Sequence, residues 1–329
     1  MGLTLSGDKM TARPPEARIS PLYRALGDRL FAGVVLVLCL LIIGIVVLIG
    51  WQLAANGSRA FAAFGLLGFL GGSTWDPVAN IFGAWPFIVG TLITSVAALV
   101  LAFFPALAVA IFAVEYAPRW LGSVLQYALE LLASLPSVIY GLWGLLVLAP
   151  VLRQIEQAMV GWAVEREADW LVQILGAPIG IGMANAVIVL AVMVIPYAAS
   201  LAKDSIALVP NTQREAAYGL GATKWEVIRM AVLPYARGGI LAGVILGFTR
   251  ALGETMAVVM VIGNNKNLPF TVFGSATTIP SAIVNEFGEA QGLQLSSLLA
   301  LGFILFILSG AMNLLAAWIV KRMSVEGRL

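Results

Sequence analysis

The sequence contains no histidine, and its only cysteine is Cys39. Without histidine there is no Ser-His-Asp triad, no imidazole general base and no ordinary zinc or copper centre. One cysteine excludes an internal disulfide, and its place in an apolar run marks Cys39 as a small hydrophobe at lipid depth. Charge is also scarce: 11% of the 329 residues are Asp, Glu, Lys or Arg, against about 25% in soluble globular chains. The formal net charge is only +2, so no basic face for nucleic acid is available. No G-x-x-x-x-G-K-[ST] loop occurs, so the chain has no such cradle for a nucleotide. What is abundant is apolar surface, at 60% of residues. So little polar surface cannot cover a globular core, and lipid is the expected solvent.

A spanning helix needs about 20 predominantly apolar residues. Six stretches qualify: Phe31 to Trp51, Phe87 to Val114, Leu121 to Leu152, Ile179 to Ala202, Gly238 to Ile262 and Leu293 to Val320. The third contains Glu130 and is interrupted by Pro136. The fifth contains Arg250 and Glu254. The predicted class is therefore an all-α polytopic membrane protein with six transmembrane helices. Its parts are a tail at 1–29, a membrane domain at 30–320 and a second tail at 321–329.

Fourteen Lys and Arg residues fall in the tails, at Arg119 and in the loop 203–237, against four in the other loops (Arg59, Arg153, Arg166, Lys266). The positive-inside rule then puts both termini in the cytoplasm. The first 29 residues are polar and the apolar run that follows is long enough to span, which predicts a tail rather than a cleaved leader. Outer loops are expected at 52–86, 153–178 and 263–292. The inner loop 203–237 mixes charge with helix formers and reads as two short helices around Gly219 and Gly221. It is either a docking surface or a solvated linker.

Ionisable residues at membrane depth normally face a partner or a wet path, because a charge at a helix centre costs about 2.5–3.5 kcal/mol on insertion scales. At about 100° per residue, Gly239, Gly243, Gly247, Arg250 and Glu254 share one narrow stripe of the fifth span. The glycines lower that face so that another backbone can approach. Arg250 and Glu254 are four residues apart and able to pair on a continuous helix. On the third span Ser134, Ser137, Gly141 and Gly144 lie on the face of Glu130, and Pro136 frees a backbone carbonyl. Thr91, Thr94 and Ser95 add hydroxyls on the second span. Two readings remain open. Either Arg250 and Glu254 are a buried pair that glues helices, with Glu130 as a third member, or these groups line a polar path. A guanidinium suits an oxyanion because its donors match phosphate-like oxygens in pairs.

At the inner loop, Glu215-Ala216-Ala217, then Gly221, then Leu233-Pro234 resembles the EAA loop of binding-protein-dependent ABC importer permeases, with Ala231 where that pattern has a β-branched aliphatic residue. Leu131-Leu132-Ala133-Ser134-Leu135-Pro136-Ser137-Val138-Ile139-Tyr140-Gly141 resembles a phosphate-permease signature. So does Arg250-Ala251-Leu252-Gly253-Glu254-Thr255-Met256-Ala257-Val258, followed by Ile262-Gly263-Asn264. With Arg214 and the stretch Gly221 to Glu226, these are similar to the PstC-type permease family of bacterial phosphate importers.

The resemblance implies a MetI-like permease fold in the bacterial inner membrane and a non-catalytic subunit that carries inorganic phosphate. It implies a PstA-like second permease, a PstB-like ATPase dimer that binds ATP and Mg²⁺, and a PstS-like phosphate-binding protein. This chain would bind no cofactor itself. Arg250, Glu254, Glu130, Ser137 and Ser134 would belong to the substrate path. Glu215, Ala216, Ala217, Gly221, Leu233 and Pro234 would couple to the ATPase. Competing readings are a permease for another oxyanion (sulfate, molybdate or phosphonate) and a secondary transporter or channel working alone.

Overall fold

The computed structural model describes residues 21–268 and 271–323. The tail expected at 1–29 and the end of that expected at 321–329 lie mostly outside the described residues. In chain order, helix α1 spans Pro21–Phe64 and α2 Leu66–Gly71. A two-stranded antiparallel ribbon follows, β1 Trp75–Asp76 and β2 Ile81–Phe82. Helix α3, Trp85–Ile111, ends in a π turn over Phe112–Tyr116. Next come α4, Arg119–Ser134, and α5, Ser137–Trp143, which continues through a π turn at Gly144–Leu148 into α6, Ala149–Glu165. Helix α7 is Asp169–Leu175 and α8 is Met183–Ala207. The loop helices α9, Asn211–Gly219, and α10, Lys224–Val227, lead through a third π turn, Ile228–Val232, into α11, Leu233–Gly253. Helices α12, Met256–Val261, α13, Ile279–Glu286, and α14, Gly292–Met323, complete the chain.

Six segments are long and apolar enough to span a bilayer: Asp28–Phe64, Trp85–Tyr116, Ser137–Glu165, Met183–Ala207, Lys224–Gly253 and Gly292–Arg322. The expected number holds, but the bounds of the first, third and fifth spans move most. The first helix continues to Phe64, because residues 52–64 are rich in alanine and contain no proline, and Gly57 is held in the helix by its close contact with Ala300. The third span starts at Ser137, not Leu121, and runs to Glu165. The segment before Pro136 is a separate amphipathic helix, α4. The fifth span ends at Gly253, so Ile262 belongs to another element.

The chain divides into two units, Met1–Gln52 and Leu53–Leu329. In the first, the described part of α1 is apolar all round, and Leu36, Leu40, Ile43 and Val47 are all exposed. A helix of that kind needs an apolar solvent on every side.

The second unit is built on α3, α8 and α11. Its largest core cluster joins Ala98 and Ala102 of α3 to Val189, Leu190 and Val194 of α8, and to Ala251, Val258 and Val261 beyond. The expected glycine stripe lies against α8. A Cβ on Gly239 would sit 1.8 Å from Ser205 Oγ, one on Gly243 would sit 3.0 Å from the Ala198 carbonyl, and one on Gly247 2.7 Å from Val194 Cγ1. Close packing without side chains replaces the hydrophobic drive that lipid cannot supply. Gly57 of α1 meets Ala300 of α14 in the same way, at 2.9 Å from its Cα. Thr91 is fully engaged in structure: its Oγ1 donates to the Phe87 carbonyl and accepts from Ile279 N at the start of α13. Thr94 donates back to Gly90 and Thr91.

At the end of the bundle carrying α13, Glu286 gathers three elements. It accepts from Trp75 Nε1 at 2.8 Å and Gln294 Nε2 at 2.9 Å and pairs with Lys266. Glu156, within the outer loop expected at 153–178, is instead buried in α6 and accepts from Gly180 N at 2.7 Å.

Candidate functional site

Two helix breaks meet in the middle of the bundle. The first has an obvious cause. Pro136 has no N–H to give, and a residue before proline avoids the helical region. Leu135 and Pro136 are accordingly extended, with ψ of 134° and 138°. The carbonyls left over at the end of α4 need donors, since lipid offers none. Tyr140 Oη donates to Leu132 O and Tyr197 Oη donates to Ala133 O, each at 2.8 Å.

The second break has no proline. Gly253 ends α11, and Glu254 is extended, with ψ 126°. The Glu254 carboxylate then turns forward and accepts from Ala257 N at 3.3 Å, where an anion suits a helix start. The two helices that restart after the breaks cross closely: a Cβ on Gly141 would lie 3.0 Å from Ala257 Cα and 2.7 Å from Met260 Sδ.

Arg250 sits in the last turn of α11, beside the second break. Its guanidinium lies over the ring of Tyr197, 4.6 Å from the centroid, the tyrosine that also serves the first break. Arg250 and Glu254 do not pair: the helix ends between them and swings the carboxylate to α12. Among the described residues, no carboxylate forms an ion pair with Arg250, and its Nε is buried with no hydrogen-bond partner. Glu130 does not join Arg250 either. It is exposed on α4 and accepts from Gln126 Nε2. Ser134 ends α4 with its hydroxyl on the Leu131 carbonyl at 2.8 Å, and Ser137 opens α5. The first break thus carries Ser134 and Ser137, the second Glu254, and Arg250 stands where the two breaks meet.

The loop between α8 and α11 forms the second candidate region. Helix α9 closes with Gly221 N donating to Tyr218 O at 2.9 Å and Ala222 N to Ala217 O at 3.2 Å. This glycine-ended closure needs a left-handed residue, and Gly221 has φ +84°. Thr223 and Glu226 then form a capping box for α10. Glu215 and Ala216 are exposed on α9, as is Pro234 beyond, and Leu220 and Trp225 project beside them at 90% and 57% exposure. Ala217, Ala222 and Leu233 face inward, against the cluster of Ala202, Ile206, Val227 and Val232.

Arg214 fixes this loop to the bundle. It donates to Glu115 Oε1 from Nε at 3.1 Å and from Nη2 at 2.9 Å, and Nη2 also reaches the Ile206 carbonyl at 3.0 Å. Nη1 reaches the Val209 carbonyl. One side chain therefore joins α9, the C-terminus of α8 and the π turn of α3. This contact is not legible in the sequence, because the residues are 99 apart. The tyrosines at the breaks were likewise silent.

Residues 106–325 match the family described as the binding-protein-dependent transport system inner membrane component. The chain is 44% identical over 272 residues to the phosphate transport system permease protein PstC of Pasteurella multocida, covering 82% of this chain and 84% of that protein. It is 41% identical over 303 residues to the PstC of Mesorhizobium japonicum, covering 92% of each. A solved structure of the MetNI methionine ABC transporter in an inward-facing conformation superposes with a TM-score of 0.56 at 16% identity, covering 76% of this chain and all of that one. At that identity the likeness concerns the fold.

Proposed function

The chain belongs to the family of binding-protein-dependent transport system inner membrane components, and from that premise we propose that it conducts inorganic phosphate as a permease subunit of an ATP-driven importer. It is a multi-pass membrane protein and a non-catalytic subunit. Phosphate as cargo is supported by relatives called phosphate transport system permeases along most of their length. The observation that carries the site is Arg250, a guanidinium at the junction of two helix breaks that forms no ion pair with a carboxylate among the described residues. An oxyanion arriving there completes its hydrogen bonding, as a bidentate partner would. Contact must be brief for the ion to leave again. Broken helices at the midplane are how other transporters place polar backbone beside a substrate.

The proposed assembly pairs this chain with a PstA-like permease, a PstB-like ATPase dimer that holds ATP and Mg²⁺, and a PstS-like phosphate-binding protein. Both termini and the loop carrying α9 and α10 face the cytoplasm of a bacterial cell, as the Lys and Arg bias requires. The exposed Glu215, Ala216, Leu220 and Trp225 form the ATPase contact. Closure of the ATPase pair pushes α9, Arg214 passes the movement to α3 and α8, and the path alternates between its two openings. ATP biases that equilibrium by binding one state better than the other.

The test is labelled phosphate uptake in cells lacking this chain. Complementation is expected only when the ATPase is also present, and excess sulfate, molybdate or phosphonate should leave uptake intact. Uptake without the ATPase, or its suppression by one of those anions, would contradict the reading.

A further inference from the structure

Between Arg250 and the loop end of the bundle, two helices carry polar groups toward one another. On α4, Arg119, Ser123, Gln126 and Glu130 follow at intervals of four, three and four residues, which is one face of a helix. Along α8, Tyr197, Ser200 and Lys203 follow one turn apart. A cavity of about 570 Å³ is lined by Arg119, Ser123, Gln126, Glu130 and Lys203, a volume within the usual range for ligand pockets. A second cavity of about 220 Å³, lined by Glu130, Ala133, Tyr197 and Ser200, adjoins it through Glu130. Tyr197 in turn lies under the Arg250 guanidinium. The series is continuous from Arg250 to Lys203, which stands four residues from the end of α8.

The charges in it are unusual. Lys203 is half-buried, and its ammonium donates to Gln126 Oε1, a neutral acceptor. Among the described residues no carboxylate forms an ion pair with Lys203 or Arg119. Gln126 passes its own N–H to Glu130, so the acid stands about one helical turn further in.

We propose that this α4–α8 cavity is a second phosphate site, on the release side of Arg250, where Lys203 and Arg119 take the phosphoryl oxygens and Glu130 accepts a P–OH. The proposal rests on the permease reading above. It explains why an acid lines an anion route: phosphate near neutral pH keeps at least one P–OH to donate, whereas sulfate keeps none. Facing sulfate, Glu130 offers only like charge with no proton between.

The experiment uses the importer assembled with its partner subunits in proteoliposomes, with labelled phosphate and saturating ATP. Lys203→Gln should assemble and hydrolyse ATP yet lose roughly tenfold or more in uptake, the worth of a charge-assisted contact, and Lys203→Arg should retain most of it. Occupancy is read separately. Because Cys39 is the only cysteine, a Cys39→Ala, Ser200→Cys chain carries one thiol in the series, and inorganic phosphate at concentrations that saturate uptake should slow its modification by a charged thiol reagent, whereas sulfate should do so only when Glu130→Gln is added. Normal uptake with Lys203→Gln, sulfate that still gives no protection with Glu130→Gln, or labelling unaffected by phosphate would each overturn the second site. A wild-type complex that moves no phosphate would overturn the permease reading itself, and this site with it.

Discussion

Replacing Gly239 by alanine adds one methyl group where the structure has no room. The new Cβ would stand 1.8 Å from Ser205 Oγ and 2.6 Å from Ser205 Cβ. The hydroxyl can rotate away, but the Cβ is fixed to the α8 backbone. Ordinary contact begins near 3.4 Å, so α8 and α11 must part locally by about 0.8 Å. Overpacking of that kind costs about 1–3 kcal/mol. Helix propensity offsets part of this, by about 0.5–1 kcal/mol in favour of alanine, and the middle of the two ranges leaves a net loss of about 1 kcal/mol. The assay is the unfolding free energy of the purified chain in mixed micelles, for Gly239→Ala, Ser205→Gly and the double variant. Removing the Ser205 Cβ opens the space, so the double variant should be more stable than the sum of the single effects allows, by about 1–2 kcal/mol of coupling. Gly219→Ala, where nothing lies within 4 Å, serves as the control and should not destabilise. A Gly239→Ala chain as stable as the parent, or single effects that simply add, would refute the close α8–α11 contact.

Three further outcomes are expected. Gly221→Val forces a β-branched side chain to φ +84°, at about 1–2 kcal/mol or more, and should weaken co-purification of the ATPase while the chain still reaches the membrane. Tyr197→Phe keeps the ring under Arg250 but leaves the Ala133 carbonyl without its donor, so stability should fall by about 1–3 kcal/mol, read by thermal denaturation. Arg214→Gln removes the ion pair to Glu115 and at least part of the carbonyl bonding; ATP hydrolysis by the assembled complex should persist while uptake per ATP falls several-fold, measured side by side.

How much of this was readable without coordinates depends on whether the cause is local. The six apolar runs and the glycine stripe were legible because length and a 3.6-residue period are written along the chain. Pro136 announced the first break. The break at Glu254 is not announced, since Gly253-Glu254-Thr255 contains no proline, and a span expected to run to Ile262 leaves Arg250 and Glu254 able to pair on one continuous helix. The closure at Gly221 was legible from its glycine. Arg214 with Glu115, and Tyr197 with Ala133, were not, because each joins residues far apart whose types say nothing of the meeting. Thr91 shows the opposite error: a hydroxyl in an apolar span looked like path lining, and it holds the start of α13 instead.

Among the described residues Arg250 forms no ion pair with a carboxylate, and on the proposed reading a passing oxyanion supplies its partner. Labelled phosphate uptake by the assembled importer carrying Arg250→Gln tests this most directly, with ATP hydrolysis and complex assembly followed in the same preparation. The account predicts an assembled complex whose uptake is reduced at least about a hundredfold, by loss of paired charge-assisted bonds. Uptake within twofold of the parent complex would contradict it.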